Sequence, residues 1–376
     1  MTTSTQDLAP DSSQESTEDG SEKSSGSTGS FLSGFLDRSN LVWILLVAVL
    51  VAIFPFFASP KWLLVGVQIG IAIIAALGLN LLVGYTGQIS IGQGGFLAVG
   101  AYTSGFLITR SGLPTVAAIV LAVILTTVIG VIVGLPALRL RGLYLAIATL
   151  AAQSIILWVI VNWKWLTEGS GSIDVPPPEL FGFAFDNNFR WYWLTITLCA
   201  VSAILMKNLV TSNFGRSFVA IRDAETASSV VGVNITRYKL LSFAISSAYV
   251  GLAGALIGSW RGIVTFERFE VEVSILYLAM IIVGGLGTLR GSFFGAIAMS
   301  ALPVLIDDLA VSLRDEVPFL VTKLPSIQTL IFGIVIVVFL VRVPGGIASI
   351  RLGRWGSRSV EGNGVNTTSL KTSLED

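Results

Sequence analysis

Ten long apolar runs separated by short polar breaks occupy the chain from Leu41 onward, at about 41–59, 62–83, 92–109, 114–136, 142–163, 191–206, 240–260, 273–288, 292–307 and 326–343. A helix needs roughly 20 apolar residues, with a range of about 17–25, to cross a bilayer. The pattern predicts an all-α, polytopic integral membrane protein of about ten transmembrane helices. The third run is glycine-rich and the eighth and ninth are short, so their apolar signal is the weakest. Residues 1–40 form an acidic Ser/Thr-rich tail with too few large apolar side chains to offset the entropy of ordering, and are expected to be disordered. The membrane domain is then 41–345, and 346–376 is a C-terminal tail.

Composition agrees. Charged residues make up 12% of the chain and apolar ones 53%, with a mean hydropathy of +0.81. Soluble domains carry roughly 25% charged residues. A formal net charge of zero hides an asymmetry between the two sides of the membrane. With ten spans, fifteen of the 23 Lys and Arg residues, among them Arg139, Arg141 and the basic stretch 215–239, share a side with both termini. The positive-inside rule makes that side the cytoplasm of a cell-membrane protein.

Several chemistries are excluded. The chain has no histidine, which removes His-ligated metals and His-based triads, and its single Cys199 forbids an intrachain disulfide. No G-x-x-x-x-G-K-[ST] loop is present, so the chain does not itself hydrolyse a nucleotide. No Asp, Glu, Lys or Arg lies well inside a run, which argues against a proton-coupled pump. No cofactor, metal or nucleic acid is implied. Transport is either driven by a partner or passive.

The polar stretch 215–239, GRSFVAIRDAETASSVVGVNITRYK, is helix-compatible yet lies between two spans. Phe218, Ile221, Ala224 or Glu225, Ser228 and Val231 recur at three- and four-residue steps, giving a short helix with one apolar face. Gly232 closes it and Asn234 caps the next helix. Arg222 and Asp223 are expected to project toward a partner. Two readings stand: a docking element for a soluble motor, or a solvated linker. On the opposite side, segments 167–190 and 307–323 read as connecting loops, the second amphipathic.

A second polar concentration, NLLVGYTGQISIGQ, spans 80–93. Asn80, Tyr85, Gln88, Ser90 and Gln93 stand among Gly84, Gly87, Gly92 and Gly95, and Gln153 adds an amide from another span. Glycine lets backbone leave the helix, and irregular backbone at membrane depth survives only in protein or facing a water-filled cavity. These residues either line a substrate pathway or form an ordinary turn before a packing helix. Two hundred residues on, Gly284, Gly287, Gly291 and Gly295 repeat the spacing. The echo is either a parallel internal repeat or the small-residue spacing common in membrane helices.

The runs GLNLLVGYTGQISIGQGGFLAVGAYTSGFL, LPALRLRGLYLAIATLA, GRSFVAIRDAETASSVVGVNITRYKLLSFAISSAYVGLAGAL and IIVGGLGTLRGSFFGA resemble the permeases of branched-chain amino-acid ABC importers, in particular the LivM-type subunit. The similarity covers about 62–345, in order. It implies a second, homologous permease, two ATP-hydrolysing subunits, an extracytoplasmic substrate-binding protein, and a cytoplasmic coupling helix at 220–231. Phe218, Ile221, Arg222, Asp223, Glu225 and Val231 would serve the ATPase contact. Many relatives carry histidine where this chain has Gln93. The alternatives are an importer for urea or short amides and, in another class, a passive channel or facilitator working without an ATPase.

Overall fold

The computed structural model describes residues 49–163, 165, 172–177, 179–180, 183–184, 187–312, 324–342 and 345–349. The tail 1–40 and nearly all of 346–376 lie outside the described residues. The chain divides into two compact units, Met1–Phe57 and Ala58–Asp376. In the first, residues 49–57 are helical. The second carries everything below.

It begins with α1 (Pro60–Asn80), prolonged by a π-helical turn, Leu81–Tyr85, and an irregular segment, 86–92. Four helices follow: α2 (Gln93–Ser111), α3 (Thr115–Ala137), α4 (Leu143–Asn162) and, after three short strands, α5 (Asn188–Thr211). Two loop helices, α6 (Asn213–Asp223) and α7 (Glu225–Val230), lead into α8 (Ile235–Arg261). A short strand and a 3-10 turn (Phe266–Phe269) precede α9 (Val271–Gly284), α10 (Leu289–Ser312) and α11 (Leu324–Arg342).

Among the described residues, six helices are long and apolar enough to cross a membrane: Pro60–Tyr85, α3, α4, α5, α8 and Leu289–Ala310 within α10. The fold is therefore all-helical and multi-pass, but the other expected spans take different forms. At about 1.5 Å per residue, the 14 residues of α9 rise about 21 Å, short of a hydrocarbon core of about 30 Å. The apolar part of α11 is only Ile327–Phe339, and residues 41–48 of the first run lie outside the described residues. The break expected at Asp307 is absent because α10 continues to Ser312. Its two acids are held there: Gln328 Nε2 donates to Asp307 Oδ1 at 2.7 Å, and Lys61 pairs with Asp308.

Burial ranks the helices. The Pro60–Tyr85 span is 72% buried and α8 is 56% buried, against 22–28% for the other four, so these two form the centre. Small residues let α8 touch its neighbours backbone to backbone. A side chain at Gly100 would lie 2.9 Å from the Cα of Gly251, and one at Gly254 would lie 2.9 Å from the carbonyl carbon of Leu97.

Segment 167–190, expected as a plain loop, contains strands. β1 (Ser172–Asp174) pairs antiparallel with β4 (Ile263–Thr265), Ile173 facing Val264, and β2 (Glu179–Leu180) pairs with β3 (Phe183–Ala184). Thr109 Oγ1 also donates to the Asp174 carbonyl at 3.0 Å. One end of the bundle is thus tied by strands and the other carries α6 and α7.

Candidate functional site: two glycine turns beneath the loop helices

The hydrogen-bond ladder passes from α to π register after Asn80 and ends past Tyr85. The Thr86 N–H reaches the carbonyl of Leu81, and the Gln88 N–H reaches that of Leu82 at 3.0 Å. In an unbroken α-helix the Gln88 N–H would bond Gly84. Gly87 then takes φ +70°, a conformation that favours glycine. From here burial alternates: Gln88, Ser90 and Gly92 are buried, Gly87 and Ile89 exposed.

The irregular segment climbs along α9. Below it, Gly84 of the π-helical turn packs against Gly287, just past the end of α9, and above it Gly94 of α2 donates its N–H to Ser274 Oγ at 2.7 Å. About 15 Å of helical rise separates Ser274 from Gly284. The non-helical backbone 86–92 therefore lies inside the bundle, beside α9.

At the lower end Asn80 clamps the second glycine turn. Its Nδ2 donates to Thr288 O at 2.8 Å and Ser292 Oγ at 2.9 Å, while its Oδ1 accepts from the Gly287 N–H at 2.9 Å. Gly84 lies so close that an added Cβ would fall on Asn80 Oδ1 and the Gly287 nitrogen, and within 2.9 Å of the Gly287 Cα. The two glycine stretches that echo each other in sequence thus meet in space. Gly284, Gly291 and Gly295 close the α9–α10 hairpin in the same way: a Cβ at Gly295 would strike the Met280 carbonyl. Gly92 and Gly95 seat the start of α2 against Thr149 and Gln153 of α4.

Higher up lies a layer of amides and hydroxyls. Gln153 Nε2 donates to Phe269 O at 3.0 Å, and its Oε1 accepts from Ser274 Oγ at 2.7 Å. Thr149 Oγ1 accepts from the Ile91 N–H at 3.0 Å. Gln88 Nε2 bridges Ser242 and Thr86 at 2.7 and 2.9 Å. Gln93 differs: it is 1% exposed, its Nε2 makes one long contact to Ala75 O at 3.5 Å, and its Oε1 has no partner among the described residues. Tyr85 is buried beside the junction.

Asn80, Gly84, Gly87 and Gly287 thus gather at the junction, with Gln93 and Gln153 in the layer above and Gln88 tied to α8. Thr288, Ser292, Ser274 and Ser242 escaped the sequence reading because isolated Ser and Thr in apolar runs carry no periodic signal. The first two could have been found from the echo, since both fall inside it. We expect Asn80→Leu to strand the Gly287 N–H and the Ser292 hydroxyl, costing about 1–3 kcal/mol; thermal melting of the purified chain checks this.

The loop helices correct one expectation. The single helix splits at Ala224, whose φ of −153° and ψ of 83° are not helical, and Arg222, though partly exposed, turns its guanidinium back onto its own chain. Its Nη1 donates to the Gly84 carbonyl at 2.8 Å, and its Nε to Asp223 at 2.9 Å. Phe218 and Ile221, at 0% and 3% exposure, anchor α6 in its own chain, Phe218 edge-on to Tyr238. Glu225 accepts from Lys239 Nζ at 2.8 Å and Arg141 Nη2 at 3.4 Å. The exposed side of the loop helices carries Arg222, Asp223, Thr226 and Ser229 and, among them, a small apolar rim of Ala220, Ala224, Ala227, Val230 and Val231, the two valines 84% exposed. Asn234 caps α8 as expected, accepting from the Arg237 N–H at 3.0 Å.

Residues 63–340 match the sequence family described as branched-chain amino acid transport system / permease component. The chain is 31% identical over 291 residues to the high-affinity branched-chain amino acid transport system permease protein LivM of Salmonella typhimurium, covering 71% of this chain and 68% of the relative. A probable LivM of Methanocaldococcus jannaschii is 23% identical, covering 74% and 90%. The autoinducer 2 import system permease protein LsrC of Escherichia coli O9:H4 is 25% identical, covering 74% and 82%. No solved structure matches. A match over most of the membrane domain, on a bundle with these helices and glycine turns, places the chain in the branched-chain amino acid transport system permease family.

Proposed function

We propose that the chain is the permease subunit of an ATP-driven importer for branched-chain or related amino acids. It acts with a second, similar permease, two ATP-hydrolysing subunits and an extracytoplasmic binding protein that delivers the substrate. The loop helices and both termini lie in the cytoplasm, and the strand-tied end faces out. The observation that carries this reading is the construction of the loop. Its anchors Phe218 and Ile221 are buried, its rim Val230 and Val231 is bare, and Arg222 ties it to the interrupted span. A bare apolar rim on an otherwise charged loop suits a protein partner.

The substrate path runs beside 87–92 and Gln93. Irregular backbone at membrane depth is stable only when protein or water meets its polar groups, and the unpartnered Gln93 oxygen suits an ammonium donor. The relatives named above carry branched-chain amino acids or autoinducer 2 in their names, so urea and short amides are not favoured. Relatives named as transport and import system permeases likewise weigh against a passive channel. Gln93→Met separates two roles: it removes a buried unsatisfied oxygen, so a packing role predicts unchanged or raised stability with full uptake. The pathway role predicts a stable protein whose uptake falls at least about tenfold, the factor lost with one good hydrogen bond.

Co-purification tests the docking claim. Val230→Asp with Val231→Asp should release the ATPase from the folded chain, because the charges would sit where apolar surface is buried. Retention of the ATPase by that variant would remove the rim from the interface.

A further inference from the structure

The change of register after Asn80 leaves the Gly84 carbonyl without its α-helical donor, since Gln88 N–H turns to Leu82 instead. The loop supplies the donor. Arg222 Nη1 lies 2.8 Å from that oxygen, its stem rests on Gly87, and a side chain at Gly287 would meet the same Nη1 at 3.0 Å. Asp223 orients the guanidinium through Nε at 2.9 Å. One planar group therefore joins the loop to the first glycine turn and lies beside the second. Asp223 is 60% exposed at its side chain and Arg222 37%, so the fork sits at the edge where a partner on the rim would press.

We propose that Arg222 is a positioning residue that transmits movement of the loop to the junction of the two interrupted spans. This rests on the importer reading above and goes beyond it, since docking alone would need no inward contact. The physical reason is the cost of separation. If α6 moves while the turn stays, the Gly84 carbonyl loses its charged donor, and hydrogen bonds from charged donors are among the stronger ones in proteins. The pair therefore moves as a body, and Gly84, being packed on Gly287, carries the α9–α10 turn with it. Lysine cannot replace the arginine fully, because a point-charge ammonium does not present the planar fork that reaches Asp223 and the carbonyl together.

The test uses the assembled importer in proteoliposomes, comparing Arg222→Gln, Arg222→Lys and Asp223→Asn with the unaltered chain. Leucine taken up per ATP hydrolysed is measured, together with the ATPase retained on the complex. We expect retained ATPase and continuing hydrolysis, with the ratio lowered about tenfold in Arg222→Gln. Smaller losses are expected in Arg222→Lys and in Asp223→Asn, which keeps the guanidinium but loses its orienting acid. An unchanged ratio in the folded variants overturns the proposal. Loss of the ATPase from Arg222→Gln also overturns it, by making Arg222 a docking contact. If Arg222→Gln does not fold, Arg222→Lys decides: an unchanged ratio there assigns Arg222 a merely structural role. Failure of the unaltered complex to transport would count against the importer reading instead.

Discussion

Gly84→Val is expected to abolish uptake and to prevent assembly of a stable protein. Its Cβ would fall on Asn80 Oδ1 and on the Gly287 nitrogen, with the Gly287 Cα 2.9 Å away. None of these is the free end of a flexible side chain. Asn80 is fixed by three hydrogen bonds and Gly287 is backbone in a turn at φ +70°. The two turns must separate, which breaks the Asn80 clamp and moves the carbonyl that Arg222 holds. Overpacking alone costs about 1–3 kcal/mol, and the lost hydrogen bonds add to it. Gly84→Ala should fold partly and lose at least about tenfold in uptake. Gly333→Ala is the control: nothing lies within 4 Å of an added Cβ there, so a helical glycine replaced by alanine should be neutral or slightly stabilising. Size-exclusion profiles and uptake of the three variants check this series.

The second large effect lies at the base of α8. Lys239 has a side chain only 10% exposed and is paired with Glu225 at 2.8 Å, with Arg141 adding a longer contact from the turn before α4. Glu225→Leu removes the one carboxylate paired with this ammonium among the described residues, leaving a nearly buried charge without its partner. Breaking a fully buried pair costs about 3–5 kcal/mol. The Glu225 side chain is 26% exposed, so water recovers part of this and a loss of about 2 kcal/mol is expected. Lys239→Met combined with Glu225→Leu should regain most of that stability, because neither charge then remains. A double-mutant cycle on thermal melting in detergent measures the coupling. Additive losses would show that the pair contributes no more than an exposed one.

The long spans were legible in the sequence because run length is a local property. α1, α3, α4, α5 and α8 each fall within a few residues of an apolar run. α9 ends before its apolar run does, for an equally local reason. The run 273–288 reads through Gly284 and Gly285, yet the helix stops there because Gly285 turns to φ +124°. The β1–β4 pair joins residues about ninety apart and has no signature in either three-residue strand. At the site, the chemistry of Asn80 and Gln153 was visible from their amides in apolar surroundings, and the glycine echo marked both turns. The direction of Arg222 was not. Its acceptor is a backbone carbonyl released by a change of hydrogen-bond register, and no side chain near it in sequence records that event. A charged residue on a polar loop is ordinarily read as facing water, and only the broken ladder shows otherwise.

Reconstitution of the unaltered chain in liposomes, alone and with the proposed second permease, ATPase and binding-protein partners, tests the central claim most directly. Entry of radiolabelled leucine is followed with and without ATP. The account predicts uptake only in the complete assembly with ATP and binding protein present, since a ligand shifts a conformational equilibrium only through its differential affinity for the two states. Leucine flux through the chain alone, without ATP, would contradict it and make the protein a passive channel.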